Sequence, residues 1–370
     1  MKLYRNARLF LNGKFTEPDC LYAENGRIAA IGETDAAADE IIDLEGDYLL
    51  PGFVDVHIHG FRGHDTMRGE EDVRFMSREL AKEGVAAFLP TTMSASAEDT
   101  AAALAGIRAV MQDPEKDGAA VLGAHMEAPF LSAGRAGAQP VCFFADPTEE
   151  NWERYTGGCE SVVRMITMAP ERENALAFIG YLTARGITVS LGHTDADAEC
   201  VHAAADAGAT HVTHTFNAQT PINHRKPGVP GAALTDDRLV CEFIGDGIHL
   251  HPDIVRLLIR CKGPEGAAAI TDAMEAAGMP DGCYELGGQQ VFAKDGAARL
   301  ADGTLAGSTL TLGRALLNLI RFGIPAEDAA AMVTSTPARS VGNTEYGVIR
   351  IGAPAVLVRL SKTLDSVSRV

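Results

Sequence analysis

Five segments of this chain carry side chains whose types and spacing could meet around a metal ion. In "PGFVDVHIHG" (51–60), His57 and His59 stand one residue apart at the end of an apolar run. Side chains alternate along a β-strand, so both imidazoles would point to the same side. Imidazole is the commonest nitrogen ligand for zinc and related ions. "GAHMEAPF" offers Glu127, "SLGHTDAD" His193 and "HVTHTFNA" His214. One carboxylate and two imidazoles leave a coordination position for water, the usual arrangement of a catalytic site. An ion held this way lowers the pKa of that water and polarises a carbonyl. Asp272, in "AAITDAMEAAGMPDG", is the expected proton carrier, accepting the water proton and later giving it to the leaving group. Taken singly, each residue is equally a satisfied buried polar group, and Asp272 equally an N-cap. What would distinguish them is a shared location.

The elements that must position them read as an alternation of apolar strands and Ala-rich helices. Strands are expected at about 53–59, 85–91, 119–126, 161–168, 187–193, 210–215, 239–245 and 267–272. Helical stretches such as "EEDVRFMSRELAKEG", "AEDTAAALAGIRAVMQ", "ENALAFIGYLTARG" and "DADAECVHAAADAG" lie between them, and Gly84, Gly186 and Gly208 stand at helix ends. Eight such units predict an α/β fold of the (β/α)8 TIM type over residues 51–340. A doubly wound sheet would alternate in the same way. The barrel also explains why the candidate residues fall at strand ends, because all those ends open onto one face, where active sites of this fold lie. Residues 1–50 hold strand-like runs with Asn12-Gly13 and Asn25-Gly26 hairpin turns. Too few to close a core alone, they are expected to join strands from 341–370, including "YGVIRIGAPAVLVRL", in a small β-sandwich domain.

Composition narrows the function classes. The 370 residues are 46% hydrophobic and 22% charged, as in an ordinary globular protein, and carry a formal net charge of −18. That balance argues against nucleic acid or an anionic membrane as partner, while an anionic small substrate needs local positive charge. The seven scattered cysteines contain no Cys-x-x-Cys and read as reduced thiols. The opening "MKLYRNARLF" lacks the apolar core of a signal peptide, and no run approaches a membrane span, so a cytoplasmic location is expected.

Seven stretches between residues 51 and about 315 resemble the N-acetylglucosamine-6-phosphate deacetylase family of the amidohydrolase superfamily in order and spacing. They are "PGFVDVHIHG", "GAHMEAPFL", "GHTDAD", "THTFNAQTPINHRKPG", "DGIHLHP", "TDAMEAAGMPDG" and "GTLAGSTLTL". The resemblance implies hydrolysis of the acetamide of N-acetylglucosamine 6-phosphate to glucosamine 6-phosphate and acetate. It implies Glu127, His193 and His214 as metal ligands and Asp272 as general base, then acid. It also implies a second ion at His57 and His59 with Glu127 as bridge, giving one or two divalent ions, zinc first and iron, manganese or cobalt as alternatives. The implied substrate shell is Ala138, Gln139, Asn217, Ala218, Arg225, Asp246 to His249, and Leu305, Ala306 and Gly307. Arg225, in the basic cluster "NHRKP", suits a two-pronged phosphate contact. Because a phosphate-binding residue can come from the neighbouring subunit, a homodimer is implied. The runner-up substrate is the galacto epimer, and a cyclic-amide hydrolase or deaminase ranks below it, since neither strand three nor strand four ends in a bridging lysine.

The chain departs from the family at Ala128 (usually Gly), Gln219 (usually Met) and Val356 (usually Asp). Ala128 demands either a negative φ or a strained turn. His125, two residues before Glu127, is read as a support for the ligands, and His64, His202, His211 and His224 as surface residues or neighbours of the site.

Overall fold

The computed structural model describes residues 1–370. Its centre is a ring of eight parallel strands, Phe53–Ile58, Val85–Thr92, Ala124–Met126, Val163–Met168, Thr188–Leu191, His211–Val212, Val240–Ile244 and Ala267–Ile270, each paired in parallel with the next. The eighth returns to the first beyond its ladder: Thr271 Oγ1 donates to Asp55 Oδ2 (2.6 Å) and Asp272 N–H donates to the His57 carbonyl (2.9 Å). These strands are buried on both faces because helices cover the outside and side-chain layers fill the inside; all of Val85–Thr92 is buried. The four expected helices form as Glu70–Lys82, Ala97–Gln112, Ala175–Thr183 and Ala198–Asp206. Ser96 and Asp197 cap two of them, their side chains accepting the N–H of Asp99 and Cys200.

At the other end of the molecule both chain termini share one sheet. Lys2–Leu11, Lys14–Glu24 and Arg27–Ile31 pair antiparallel through the two Asn-Gly turns, with φ of 51° and 80° at Asn12 and Gly13. Leu357–Leu360 pairs with Tyr48–Pro51. Of the run 346–360 only these last four residues extend as a strand, while Ile349 and Ala353 from the preceding loop fill this domain's own core. Val356 accounts for its position here: a Cβ on Gly52 would meet Val356 Cγ1 at 2.8 Å, so the two residues are matched in size.

Two differences from the sequence reading bear on the site. Apart from the second, Val85–Thr92, the barrel strands are shorter than expected. The third is split into Ala120–Val121 and Ala124–Met126 at Gly123, and the sixth, expected over 210–215, is only His211–Val212. Positive φ at His214 (30°), Phe216 (81°) and Ala218 (51°) ends that ladder. Secondly, an antiparallel sheet, Gly282–Leu286, Gln289–Lys294, Ala297–Arg299 and Leu305–Ser308, follows the eighth strand in a stretch where no strand was expected. Gly287-Gly288 and Asp295-Gly296, flanked by alternating residues, carry its hairpin signal.

Candidate metal centre and substrate pocket

All six chemistry-bearing residues converge at one mouth of the barrel, but not strictly at strand ends. His57 lies within its strand and His59 one residue beyond it; Glu127 also follows its strand by one, and His193, His214 and Asp272 follow theirs by two. The last three have left-handed backbone, φ 46°, 30° and 48°. Such conformations cost about 1–3 kcal/mol each and persist where surrounding structure enforces them. Here each one turns a side chain back over the barrel axis.

Glu127 is the hub. Its Oε1 lies 3.0 Å from His214 Nε2 and 3.3 Å from both His193 Nε2 and His57 Nε2, and its Oε2 lies 3.1 Å from His59 Nε2. The imidazole nitrogens pair at 3.2 Å (His193–His214) and 3.3 Å (His57–His59). A tetrahedral ion with bonds of about 2.0–2.1 Å holds its ligand atoms roughly 3.3–3.4 Å apart, so both groups have the spacing of a ligand shell. The tautomers agree. Nδ1 of His59, His193 and His214 donates to the carbonyls of Thr91 (3.2 Å), Arg135 (2.8 Å) and Asn217 (3.2 Å), which leaves each Nε2 lone pair directed inward. His125 differs: Nδ1 donates to the Val56 carbonyl (3.0 Å) and Nε2 is bonded to Thr167 Oγ1 (2.8 Å), so it supports the floor and has no free nitrogen. The donor set and its spacing fit two divalent ions sharing Glu127, one with His193 and His214, the other with His57 and His59.

The electrostatics point the same way. Burial favours a neutral Glu127, but the surrounding imidazoles hold it well below the ordinary carboxylate range. Burial likewise opposes charge on His59, yet hydrogen bonds to Asp272 and Glu127 push it up to about 9. Asp272, which burial would raise, is lowered by His57 and His59, its Oδ1 lying 3.3 Å from His59 Nε2. Gln139 Nε2 donates to Glu127 Oε2 (2.7 Å), and its Oε1 accepts from Ser94 N–H. Gln219 secures the loop carrying His214, accepting from Phe216 N–H (2.9 Å) and donating to the Thr213 carbonyl (2.8 Å). Ala128 is buried without positive φ, so its methyl meets no backbone penalty.

Above the hub opens a pocket of about 330 Å³. Of the anticipated residues, His59, Glu127, Ala138, Gln139, His193, His214, Asn217, Ala218, His249, Asp272, Leu305 and Gly307 line it. His57 lies beneath it, fully buried. Ala306 points into the core of the antiparallel sheet, and Asp246 stands behind His249, its Oδ2 2.7 Å from Nδ1. Arg225 is exposed on the loop after Ala218 and does not line its own chain's pocket. Six wall residues escaped the sequence reading: Met93, Gly134, Arg135, Gly137, Leu286 and Thr304, the last two brought by the unexpected sheet. Arg135 is the only lysine or arginine on the wall; its Nε donates to Asp195 Oδ1 (2.8 Å), and its other guanidinium nitrogens have no partner within the chain. Its signal was an arginine in the Gly-rich "SAGRAGAQP", next to Ala138 and Gln139. His211, read as a surface residue or neighbour, is instead buried in the barrel wall, with Nδ1 on Thr210 Oγ1 (2.9 Å).

A parallel barrel with clustered His and Glu side chains at its mouth that could hold metal ions is the frame of a hydrolase, and the pattern of the amidohydrolase family matches residues 48–368. The chain belongs to the amidohydrolase family. It is 40% identical over 361 residues to the N-acetylglucosamine-6-phosphate deacetylase of Vibrio furnissii, covering 96% of this chain and 90% of that one. It is 36% identical over 363 residues to the N-acetylgalactosamine-6-phosphate deacetylase of Escherichia coli O157:H7, covering 97% and 95%. Among solved structures, a mutant N-acetyl-D-glucosamine-6-phosphate deacetylase from Mycobacterium smegmatis, in complex with N-acetyl-D-glucosamine-6-phosphate, superposes with a TM-score of 0.91 at 33% identity, covering 98% of this chain and 96% of that one.

Proposed function

We propose that this chain deacetylates N-acetylglucosamine 6-phosphate, releasing acetate and glucosamine 6-phosphate. The observation that carries the reading is the single carboxylate of Glu127 shared by two imidazole pairs, with Asp272 facing it across the barrel mouth. Glu127, His193 and His214 would hold a divalent ion, zinc in this reading, whose chemistry there would be to lower the pKa of a water and to polarise the acetamide carbonyl. Asp272, held ionised by its imidazole neighbours, takes a proton from the attacking water. The same carboxyl then gives that proton to the nitrogen as the C–N bond breaks, so water and amide become acetic acid and amine, which at neutral pH are acetate and the protonated amine. Gln139 steadies Glu127, and the carbonyls of Arg135 and Asn217 steady the two imidazoles.

The sugar and phosphate lie in the pocket walled by Ala138, Asn217, Ala218, His249 and Leu305. Arg135 and Arg225 supply the positive charge that a chain of net charge −18 cannot provide at long range. The exposure of Arg225 outside its own pocket supports a homodimer in which it serves the neighbouring subunit. The reading also divides the chain into a barrel over 51–340 and a small β domain of 1–50 with 341–370, the part in which both termini share one sheet, and places the protein in the cytoplasm.

Acetate release assayed on the gluco and galacto sugar phosphates side by side tests this. Preference for the gluco substrate is expected; preference for the galacto epimer would move the assignment to the other relative, and acetate from neither would overturn it.

A further inference from the structure

We infer that Glu242 is the positioning residue for a divalent ion at His57 and His59, because it decides which nitrogen of His57 faces that ion. The inference rests on the two-ion reading above. Glu242 lies within Val240–Ile244, where its neighbours are apolar, and its side chain is fully buried in the barrel. Its Oε2 lies 3.4 Å from His57 Nδ1, and its Oε1 has no hydrogen-bond partner. No lysine or arginine forms an ion pair with it; His57 is its one basic neighbour within that range.

The other buried acid of this strand layer is treated differently. Asp55 receives three donors, Thr271 Oγ1 (2.6 Å), Thr271 N–H (3.3 Å) and His57 N–H (3.3 Å). A carboxylate as poorly satisfied as Glu242 is costly in an apolar interior unless a cation lies nearby.

His57 is the ligand that needs such a partner. Three of the four imidazoles are oriented by backbone carbonyls, whose acceptor role is fixed by the chain. His57 Nδ1 has only Glu242. On its other side Nε2 lies 3.3 Å from Glu127 and 3.6 Å from Asp272, both good acceptors. Without Glu242 the proton would settle on Nε2, bonded to Glu127 or Asp272, and His57 would cease to be a ligand. With Glu242 accepting from Nδ1, the Nε2 lone pair stays free. The Glu242 backbone carbonyl separately accepts the Thr215 N–H (2.8 Å), a bond that substitution of the side chain leaves in place.

The test is a Mn²⁺ titration of chelator-stripped protein, counting bound ions and following the electron-spin signature of a coupled Mn²⁺ pair. Wild type is expected to take up two ions and show the pair. Glu242→Gln, whose amide oxygen can still accept from Nδ1, should keep both ions. Glu242→Leu, which removes the acceptor, should bind the first ion normally and the second roughly 10–100-fold more weakly, the range for partners of metal-ligating histidines. In a His57→Asn background Glu242→Leu should add no further loss; a merely structural role would add its own. Two ions of undiminished affinity in Glu242→Leu, or equal weakening of both, would overturn the inference alone. A wild type that takes up one ion at saturating Mn²⁺ would overturn the two-ion reading along with it.

Discussion

His57 and His59 are carried on and just beyond a regular strand, whereas His193 and His214 stand two residues past theirs on left-handed backbone. The first pair is set by the pleat of one strand: spacing of two places both rings over the barrel axis with no special conformation. The second pair comes from different strands and must be turned inward, and its orientation is imposed by carbonyls of the neighbouring loops, Arg135 and Asn217. One pair is thus built into the barrel and the other into its rim. Glu127 reaches both pairs, while Asp272 Oδ1 lies against the first, 3.3 Å from His59 and 3.6 Å from His57.

The largest expected effect falls on the proton carrier beside the first pair. Asp272→Asn should lower kcat by at least about 10²–10⁴-fold, the contribution of general acid–base catalysis, while metal content and substrate binding persist. Near-normal turnover would transfer the proton to another residue. Separating the pairs comes next. Replacing His57 and His59 by Asn should remove one ion and leave the other, measured by elemental analysis, whereas His193→Asn or His214→Asn should remove the ion required for turnover. Loss of both ions from the His57/His59 variant would show that the pairs do not form distinct sites.

A smaller effect distinguishes rim from barrel. Arg135→Ala and Arg225→Ala should each cost roughly 10–100-fold in kcat/KM on the sugar phosphate, the value of a charge-assisted contact of about 1.5–3 kcal/mol. Unphosphorylated N-acetylglucosamine should lose far less. Equal losses on both substrates would mean that these arginines act on the loop or the sugar ring.

The smallest effect separates site histidines from a core one. Burial lowers His211 to about 3, far below its ordinary value, so folding excludes a proton that the unfolded chain binds below about pH 6.5. The stabilisation from keeping His211 neutral is therefore complete above pH 6.5 and is lost as pH falls toward 3, by up to about 1.4 kcal/mol per pH unit. Denaturant unfolding at pH 7 and pH 5 should show a steeper acid loss in wild type than in His211→Leu. Identical slopes would contradict the assignment.

The barrel was legible because its strands are continuous apolar runs separated by Ala-rich helices with clear caps, a pattern that depends on local sequence alone. The ligands were legible as types and by resemblance. Their exact aim was not, since positive φ at His193, His214 and Asp272 is imposed by the packing of loops that meet only in the folded chain. The sheet over 282–308 was missed although Gly287-Gly288 and Asp295-Gly296 mark its turns, because its strands are short and half exposed. Glu242 gave no signal at all: a single acid in an apolar strand acquires meaning only when strand one places His57 beside it.

Acetate release from N-acetylglucosamine 6-phosphate, followed while a divalent metal is returned stepwise to chelator-stripped protein, tests the central claim most directly. Stripped protein should release no acetate above background, and activity should recover as the metal is restored. Undiminished acetate release by the metal-free protein would contradict the account.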